Sequence, residues 1–139
     1  HIIDLPAAAG SVDQPIAFDV AKVIAAPNGP VGGDPGACPL TLSGSATPYR
    51  YVRVRNTGAV ARTATLETTG ATDTLLAYYA GDAPISTARL ACTGTYSDDG
   101  TGVNGSVTGA MIPAGGYVTV YVGKFSSGAG TTNFRATGN

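Results

Sequence analysis

Helix-forming and charged residues are scarce in this 139-residue chain. Charged residues make up 12% of it, with a single Glu, Glu67, and only two Lys, Lys22 and Lys124. No long segment repeats apolar residues at helical spacing, so a helical fold is not expected. Gly is abundant instead, with 20 residues, together with Thr, Ala, Val and Ser. This composition is typical of extended strands joined by tight turns.

The formal net charge of −1 gives the chain no basic surface for a phosphate backbone, so we expect no nucleic-acid partner. No apolar run approaches the roughly 18 residues that span a bilayer, so no membrane insertion is expected. His1 is the only histidine and lies at the first position, where it is a poor partner for a Ser or Cys nucleophile. We therefore expect a protein that is not an enzyme.

The two cysteines, Cys38 and Cys92, are too few for a zinc site when one terminal histidine is the only imidazole. The lysine-poor, Thr- and Gly-rich composition favours an extracellular protein, in which the two would form a disulfide. The alternative is a pair of buried thiols. The first residue is His1 and not Met, and we expect a processed or trimmed terminus there.

Several short segments alternate apolar and polar residues, which is the period of a half-buried strand. The clearest is 117–122, where Val118, Val120 and Val122 share one face. The strands predicted in this way are 15–24, 49–55, 60–66, 73–79, 88–92, 106–112, 117–122 and 131–136. Strands at this close spacing predict an all-β fold, an antiparallel, jelly-roll-like β-sandwich of about eight or nine strands.

A turn at Asn56-Thr57-Gly58 predicts that segments 49–55 and 60–66 pair as a hairpin. In the first of these segments, one face carries two aromatic and two basic side chains: Tyr49, Tyr51, Arg53 and Arg55. This face could bind a ligand, because aromatic rings stack on sugars and Arg pairs with carboxylates. Cross-strand pairs that stabilise a sheet exterior would give the same pattern.

An acidic loop suggests the one metal that the sequence could hold. Calcium prefers several oxygen ligands from carboxylates and carbonyls, and Asp98 and Asp99 could supply them together with Asp73 or Asn104. The alternative is that these side chains form Asx-turns within a tight loop. Calcium is therefore a candidate cofactor, and no other cofactor is predicted.

The first 45 residues are predicted to form an N-terminal extension to a β-sandwich domain at 46–139. The extension carries one or two strands and then a loop, residues 27–39, whose four prolines lack the amide donors of a ladder. Ile16, Phe18 and Val20 alternate with smaller or polar residues, as in a strand. We therefore predict that this strand can be donated to the sheet edge of a neighbouring copy.

The order of features over about residues 49–137 resembles the bacterial pre-peptidase C-terminal (PPC) domain family. The resemblance is carried by five features in order: Asp73-Thr74-Leu75-Leu76 at the start of a strand, Leu90-Ala91-Cys92 followed by Asp98-Asp99, the Ile112-Pro113-Ala114-Gly115-Gly116-Tyr117 turn, the Val118–Val122 strand, and the closing hairpin from Gly128 to Phe134. It implies a jelly-roll-like sandwich of a secreted bacterial protein. It leaves residues 1–45 unmatched.

Two functions follow as expectations. The first is a non-catalytic structural protein, a subunit of a cell-surface assembly or filament, joined to copies of itself by strand exchange through the N-terminal strand. The second, which the resemblance implies, is an accessory module that binds carbohydrate or extracellular protein beside a secreted hydrolase. Both place the protein outside the cell, and fold alone does not choose between them.

Overall fold

The computed structural model describes residues 1–19, 23–27, 42–83, 92–96, 104–124 and 128–139. All regular structure in these ranges is β-strand: β1 (Ile2–Asp4), β2 (Gly10–Phe18), β3 (Val23–Pro27), β4 (Leu42–Arg55), β5 (Arg62–Thr69), β6 (Thr74–Ala80), β7 (Gly94–Tyr96), β8 (Ser106–Ile112), β9 (Tyr117–Lys124) and β10 (Gly130–Gly138). In the residues that the structure describes, no helix is long and apolar enough to cross a membrane.

The strands form two sheets. The six-stranded sheet has the order β1-β4-β9-β6-β7, with β3 also paired to β4, and the four-stranded sheet has the order β2-β10-β5-β8. Of the pairings between described strands, all are antiparallel except that of β1 with β4. The predicted all-β sandwich is confirmed.

The core lies between the sheets and follows the predicted alternation. Val52 and Val54 of β4 and Val120 of β9 face it from the six-stranded sheet, with at most 1% of their surface exposed. From the other sheet, Leu66 of β5 and Phe134 of β10 are completely buried in the same cluster. Burial of these side chains is the main favourable contribution to the fold, because each removes apolar surface from water.

The predicted hairpin between segments 49–55 and 60–66 is wrong. β4 pairs with β9 and β1 in one sheet, whereas β5 pairs with β10 and β8 in the other, so the turn carries the chain across the sandwich. Asn56 holds this crossing. Its Nδ2 donates to the carbonyl oxygen of Val60 at 2.7 Å, and its Oδ1 accepts from the Gly58 amide at 3.0 Å. Alternation assigns a face to each strand but does not identify its neighbour.

The first three strands pair with strands of the predicted sandwich domain. β1 lies at one edge of the six-stranded sheet, β2 lies at one edge of the four-stranded sheet, and β3 pairs with the first part of β4. The predicted division at residues 45 and 46 falls inside β4, which begins at Leu42. Residues 1–18, here called the N-terminal segment, thus line an edge of both sheets.

Candidate functional site

The predicted binding face lies on the outer side of the six-stranded sheet. Tyr49, Tyr51, Arg53 and Arg55 alternate along β4 with the buried Val52 and Val54, as predicted. β9 lies beside them in antiparallel register, with Tyr121 opposite Tyr51 and Thr119 opposite Arg53. The outer face is therefore built from two neighbouring strands, although the sequence pattern revealed only one of them.

Three tyrosines on this face pack against one another and form what we call the tyrosine cluster: Tyr49, Tyr51 and Tyr121. The rings of Tyr49 and Tyr121 are stacked, with centroids 5.7 Å apart and planes 12° apart. Tyr51 meets both edge-on, at 5.5 Å from Tyr49 and 5.8 Å from Tyr121. Such aromatic pairs stabilise a sheet beyond the area they bury. These ring contacts favour the second interpretation of this face, in which cross-strand pairs stabilise the outside of the sheet.

Gly123 makes room for the tyrosine cluster. A Cβ atom at Gly123 would lie 2.6 Å from Cε1 of Tyr121 and 2.8 Å from its hydroxyl oxygen, closer than a real contact allows. The Tyr121 ring therefore lies along the strand over Gly123, where it stacks on Tyr49 and is fully buried. Only a glycine permits this close approach of a ring to the backbone.

Both arginines of the predicted binding face already have acidic partners. Nη2 of Arg53 donates to Oδ1 of Asp82 at 2.9 Å, and its guanidinium lies 4.2 Å from the centroid of the Tyr117 ring. The Tyr117 hydroxyl donates to the same Asp82 oxygen at 2.6 Å, which raises the pKa of that tyrosine. Arg55 binds Asp4. The face therefore offers less net positive charge than the sequence suggested.

The side chains predicted for strand donation lie within their own sandwich. Ile16 is 1% exposed and Phe18 is 3% exposed, and both belong to the core cluster. β2 pairs with β10 along nine residues, from Gly10 to Phe18. Val20 lies outside the described residues. In this fold the strand is retained, and exchange with a neighbour would require β2 to leave its sheet.

Two ion pairs fix the N-terminal segment to the rest of the sandwich. Arg55 donates from Nε and Nη2 to the two oxygens of Asp4, at 2.6 and 2.9 Å. Arg135 donates in the same way to Asp13, at 2.7 and 3.2 Å. These hydrogen bonds lower the pKa of both aspartates. The paired residues lie 51 and 122 positions apart in the sequence, so no local pattern could identify them.

The middle of β2 is a protected edge. Pro15 has no amide to donate, and proline is confined in sheets to positions whose nitrogen faces away from the neighbouring strand. Its carbonyl oxygen accepts a hydrogen bond from Nε2 of Gln14 at 2.8 Å. A neighbouring strand would find no amide donor at Pro15 and a carbonyl oxygen that already accepts one hydrogen bond, which disfavours edge-to-edge pairing.

The outer face of the four-stranded sheet is rich in hydroxyl groups, and no local sequence pattern indicates that they share this face. At one end, Ala17, Thr69, Thr131 and Asn133 line an open groove of about 560 Å³. Nδ2 of Asn133 donates to Oγ1 of Thr69 across two strands at 3.5 Å. Along the same face the hydroxyls of Ser11 and Thr137 are 2.7 Å apart. Cross-strand contacts between polar side chains thus recur across this face.

The predicted calcium ligands are only partly within the described residues. Asp98 and Asp99 lie outside them. Asp73 is half-buried and Asn104 is exposed, and their neighbours Thr74 and Gly105 both bind the hydroxyl of Thr68, at 2.5 and 3.0 Å. The described part of the chain contains no group of three metal-ligating side chains. The calcium site stays a prediction.

The predicted disulfide also involves a residue outside the described ranges, Cys38. Cys92 is half-buried and packs against the outer-face cluster that contains Leu75, Tyr79 and Tyr121. Within the residues that the structure describes there is no free cysteine. Pairing of Cys38 with Cys92 stays a prediction.

No family model, no curated protein and no solved structure matches this chain. The resemblance to the PPC family therefore stays a prediction.

Proposed function

We propose that this chain is a non-catalytic structural protein of an extracellular assembly, in which copies are joined by exchange of the N-terminal segment. The observation that supports this most is the position of β2. It is an edge strand, yet it contributes Ile16 and Phe18 to the core. The PPC-like sequence features support the extracellular setting.

An edge strand is the kind of element that copies can exchange. The same strand from a neighbour can take its place and make identical contacts, because each copy offers the same vacated groove and the same donor. Among the described strands, β10 is the single neighbour that binds β2 to the body, defined as residues 42–139. β1 is bound in the same way through β4. The whole segment could therefore be exchanged while the order of strands in the body stays unchanged.

Protection of the β2 edge favours exchange over simple addition of one sheet to another. Pro15 removes an amide donor from the middle of the strand, and Gln14 occupies the carbonyl of Pro15. Joining by exchange does not need this edge, because it uses the ladder that β2 already forms with β10.

A cysteine pair placed across the β2–β10 ladder tests the proposal. Ala17 and Thr131 lie directly opposite each other and both are exposed. Directly opposed residues of an antiparallel pair are close enough for a disulfide. The double variant Ala17→Cys/Thr131→Cys is assembled at high concentration, oxidised and run on a non-reducing gel. Exchange predicts covalent dimers and higher multiples.

The matched control is Thr65→Cys/Thr137→Cys, across the β5–β10 ladder inside the body. This pair is expected to close within one chain under all conditions. The unsubstituted chain, run alongside, accounts for the two native cysteines. The proposal fails if the Ala17/Thr131 pair closes only within single chains at the highest concentration reached.

The second candidate is an accessory module that binds carbohydrate or extracellular protein through the outer face of the six-stranded sheet. It is favoured by the partial exposure of Tyr49 and Tyr51, and of the Arg53 side chain, which is 36% exposed. The test is retention of the chain on immobilised polysaccharides and extracellular proteins. Loss of retention in Tyr51→Ala/Arg53→Ala supports this candidate, and no retention of the unsubstituted chain on any of them removes it.

A further inference from the structure

We propose that Asp4 and Asp13 act together as an acid-sensitive latch that holds the N-terminal segment against the body. Each of the two strands in the segment carries one of these carboxylates, and each carboxylate binds an arginine of the body. If copies exchange the segment as proposed above, the latch regulates that exchange. This regulation rests on the proposed function, whereas the latch itself does not. Its test measures opening of the segment directly.

The geometry of the two pairs is the same. Asp4 lies beside Arg55 in the parallel β1–β4 register, and Asp13 lies opposite Arg135 in the antiparallel β2–β10 register. In both pairs, Nε and Nη2 of the arginine donate to the two carboxylate oxygens, at 2.6 to 3.2 Å. Bidentate pairing of this kind is the strongest form of a surface ion pair. Protonation of the aspartate removes its negative charge and the acceptor capacity of one of its oxygens.

The charged and titratable groups around Asp4 favour its ionised form. Arg55 faces it from β4. On the far side of Arg55, β9 presents Tyr117 in register, and the hydroxyl of Tyr117 is bound to Asp82. The amino terminus of His1, on the same segment, donates to the carbonyl of Tyr51 at 3.4 Å. Arg55 is thus the one cationic side chain that pairs with Asp4 in the described residues.

The surroundings of Asp13 differ from those of Asp4, because the arginine that binds Asp13 has a second acidic neighbour. Arg135 faces Asp13 from β10, and Glu67 of β5 lies opposite Arg135 on its other side. Both carboxylates raise the pKa of Arg135, Asp13 by its hydrogen bond and Glu67 by its charge. When β2 leaves, Arg135 keeps Glu67 as a neighbour. Opening at this point therefore leaves no isolated charge on the body.

The direction of the pH effect on opening follows from the pKa values of Asp4 and Asp13 in the closed state, in which the segment is bound to the body. Hydrogen bonds from the arginines hold the pKa of Asp4 and Asp13 below the ordinary 3.8, and an open segment returns both to that ordinary value. The latch therefore contributes fully above about pH 5, weakens as the pH falls, and is lost once the pH passes the lowered pKa values. Acid promotes opening.

Hydrogen exchange of the full chain measures this opening. The double variant Asp4→Asn/Asp13→Asn keeps the shape of both side chains and removes their charge. At pH 7 it is expected to speed amide exchange in β1 and β2 by about twofold to thirtyfold, the range for losing two exposed ion pairs. β9, in the centre of the six-stranded sheet, is expected to be unchanged. Between pH 7 and pH 2.5, protection of β1 and β2 falls more in the unsubstituted chain than in the double variant, after correction for intrinsic exchange.

The control is Asp82→Asn, which breaks an exposed ion pair, that with Arg53, whose two residues both lie in the body. It is expected to leave exchange in β1 and β2 unchanged. The latch is refuted if the double variant exchanges like the unsubstituted chain at pH 7, if it keeps the full acid response, or if Asp82→Asn has the same effect. Hydrogen exchange can change as expected while the Ala17/Thr131 cysteine pair still closes only within single chains. That result supports the latch and refutes strand exchange.

Discussion

The N-terminal segment and the body of the sandwich share one core but differ in how many neighbouring strands hold each strand. In the body, strands such as β9 and β10 have a neighbour on each side, and residues such as Val120 and Phe134 are almost completely buried. Among the strands that the structure describes, each strand of the segment has one hydrogen-bonded neighbour, and besides its core residues it is held by one exposed ion pair. Because free energies of opening follow burial and pairing, the segment is expected to open while the body stays folded.

The largest effect is expected from Phe134→Ala in the body. Phe134 is completely buried in β10, between β2 and β5, so its removal leaves a cavity in the centre of the core. The free energy of unfolding should fall by about 3–5 kcal/mol. Urea denaturation followed by circular dichroism measures it. A loss below about 1 kcal/mol would mean that β10 is not central to the core.

Phe18→Ala removes a similar ring from the N-terminal segment. Its effect on amide exchange shows whether the segment opens separately from the body. Phe18 is buried but lies at the end of edge strand β2, where the site can relax more easily. We expect a loss of about 2–3 kcal/mol, seen mainly as faster amide exchange in β1 and β2. Exchange in the β6–β9 ladder should change less. An equal increase in both places would contradict separate opening.

Gly123→Ala tests the close packing of the body's outer face. The added methyl group would displace the Tyr121 ring and break its stack on Tyr49, at an expected cost of about 1–3 kcal/mol. Gly10→Ala, at the start of β2, is the matched control, because its Cβ would meet no atom closer than 3.7 Å. Thermal unfolding compares the two. Equal effects would mean that the tyrosine cluster adds no constraint.

The smallest effect on stability is expected from Pro15→Thr. Its side chain is exposed, so the free energy of unfolding should change by no more than about 0.5 kcal/mol. The substitution restores an amide donor to the edge of β2, and we expect new edge-to-edge association at high concentration. Light scattering detects it. A variant that stays as dispersed as the parent chain would show that Pro15 does not protect this edge.

The sequence predicts which face of a strand is buried better than it predicts which strands are hydrogen-bonded neighbours. Alternation placed Val52 and Val54 in the core and Tyr51 and Arg53 outside, because the two-residue period of a strand is local. It could not show that β4 and β5 belong to different sheets, because a turn signal does not specify whether the chain returns beside itself or crosses the core.

The same limit applies to the candidate site. Tyr49 and Tyr51 were found from their own strand, but Tyr121 joins them from a strand about 70 residues later, and Asp82 and Asp4 neutralise the arginines from other parts of the chain. These pairings depend on strand order and register, which only the assembled sheets determine. The edge position of β2, the basis of the proposed exchange, is of the same kind.

The mass of the full chain in solution tests the central claim most directly. Light scattering is recorded after incubation at high concentration and again after dilution. Exchange predicts particles at multiples of 13.8 kDa that persist on dilution, because an exchanged segment is released only when it opens again. Particles of 13.8 kDa alone, at every concentration and after every incubation, would contradict the account.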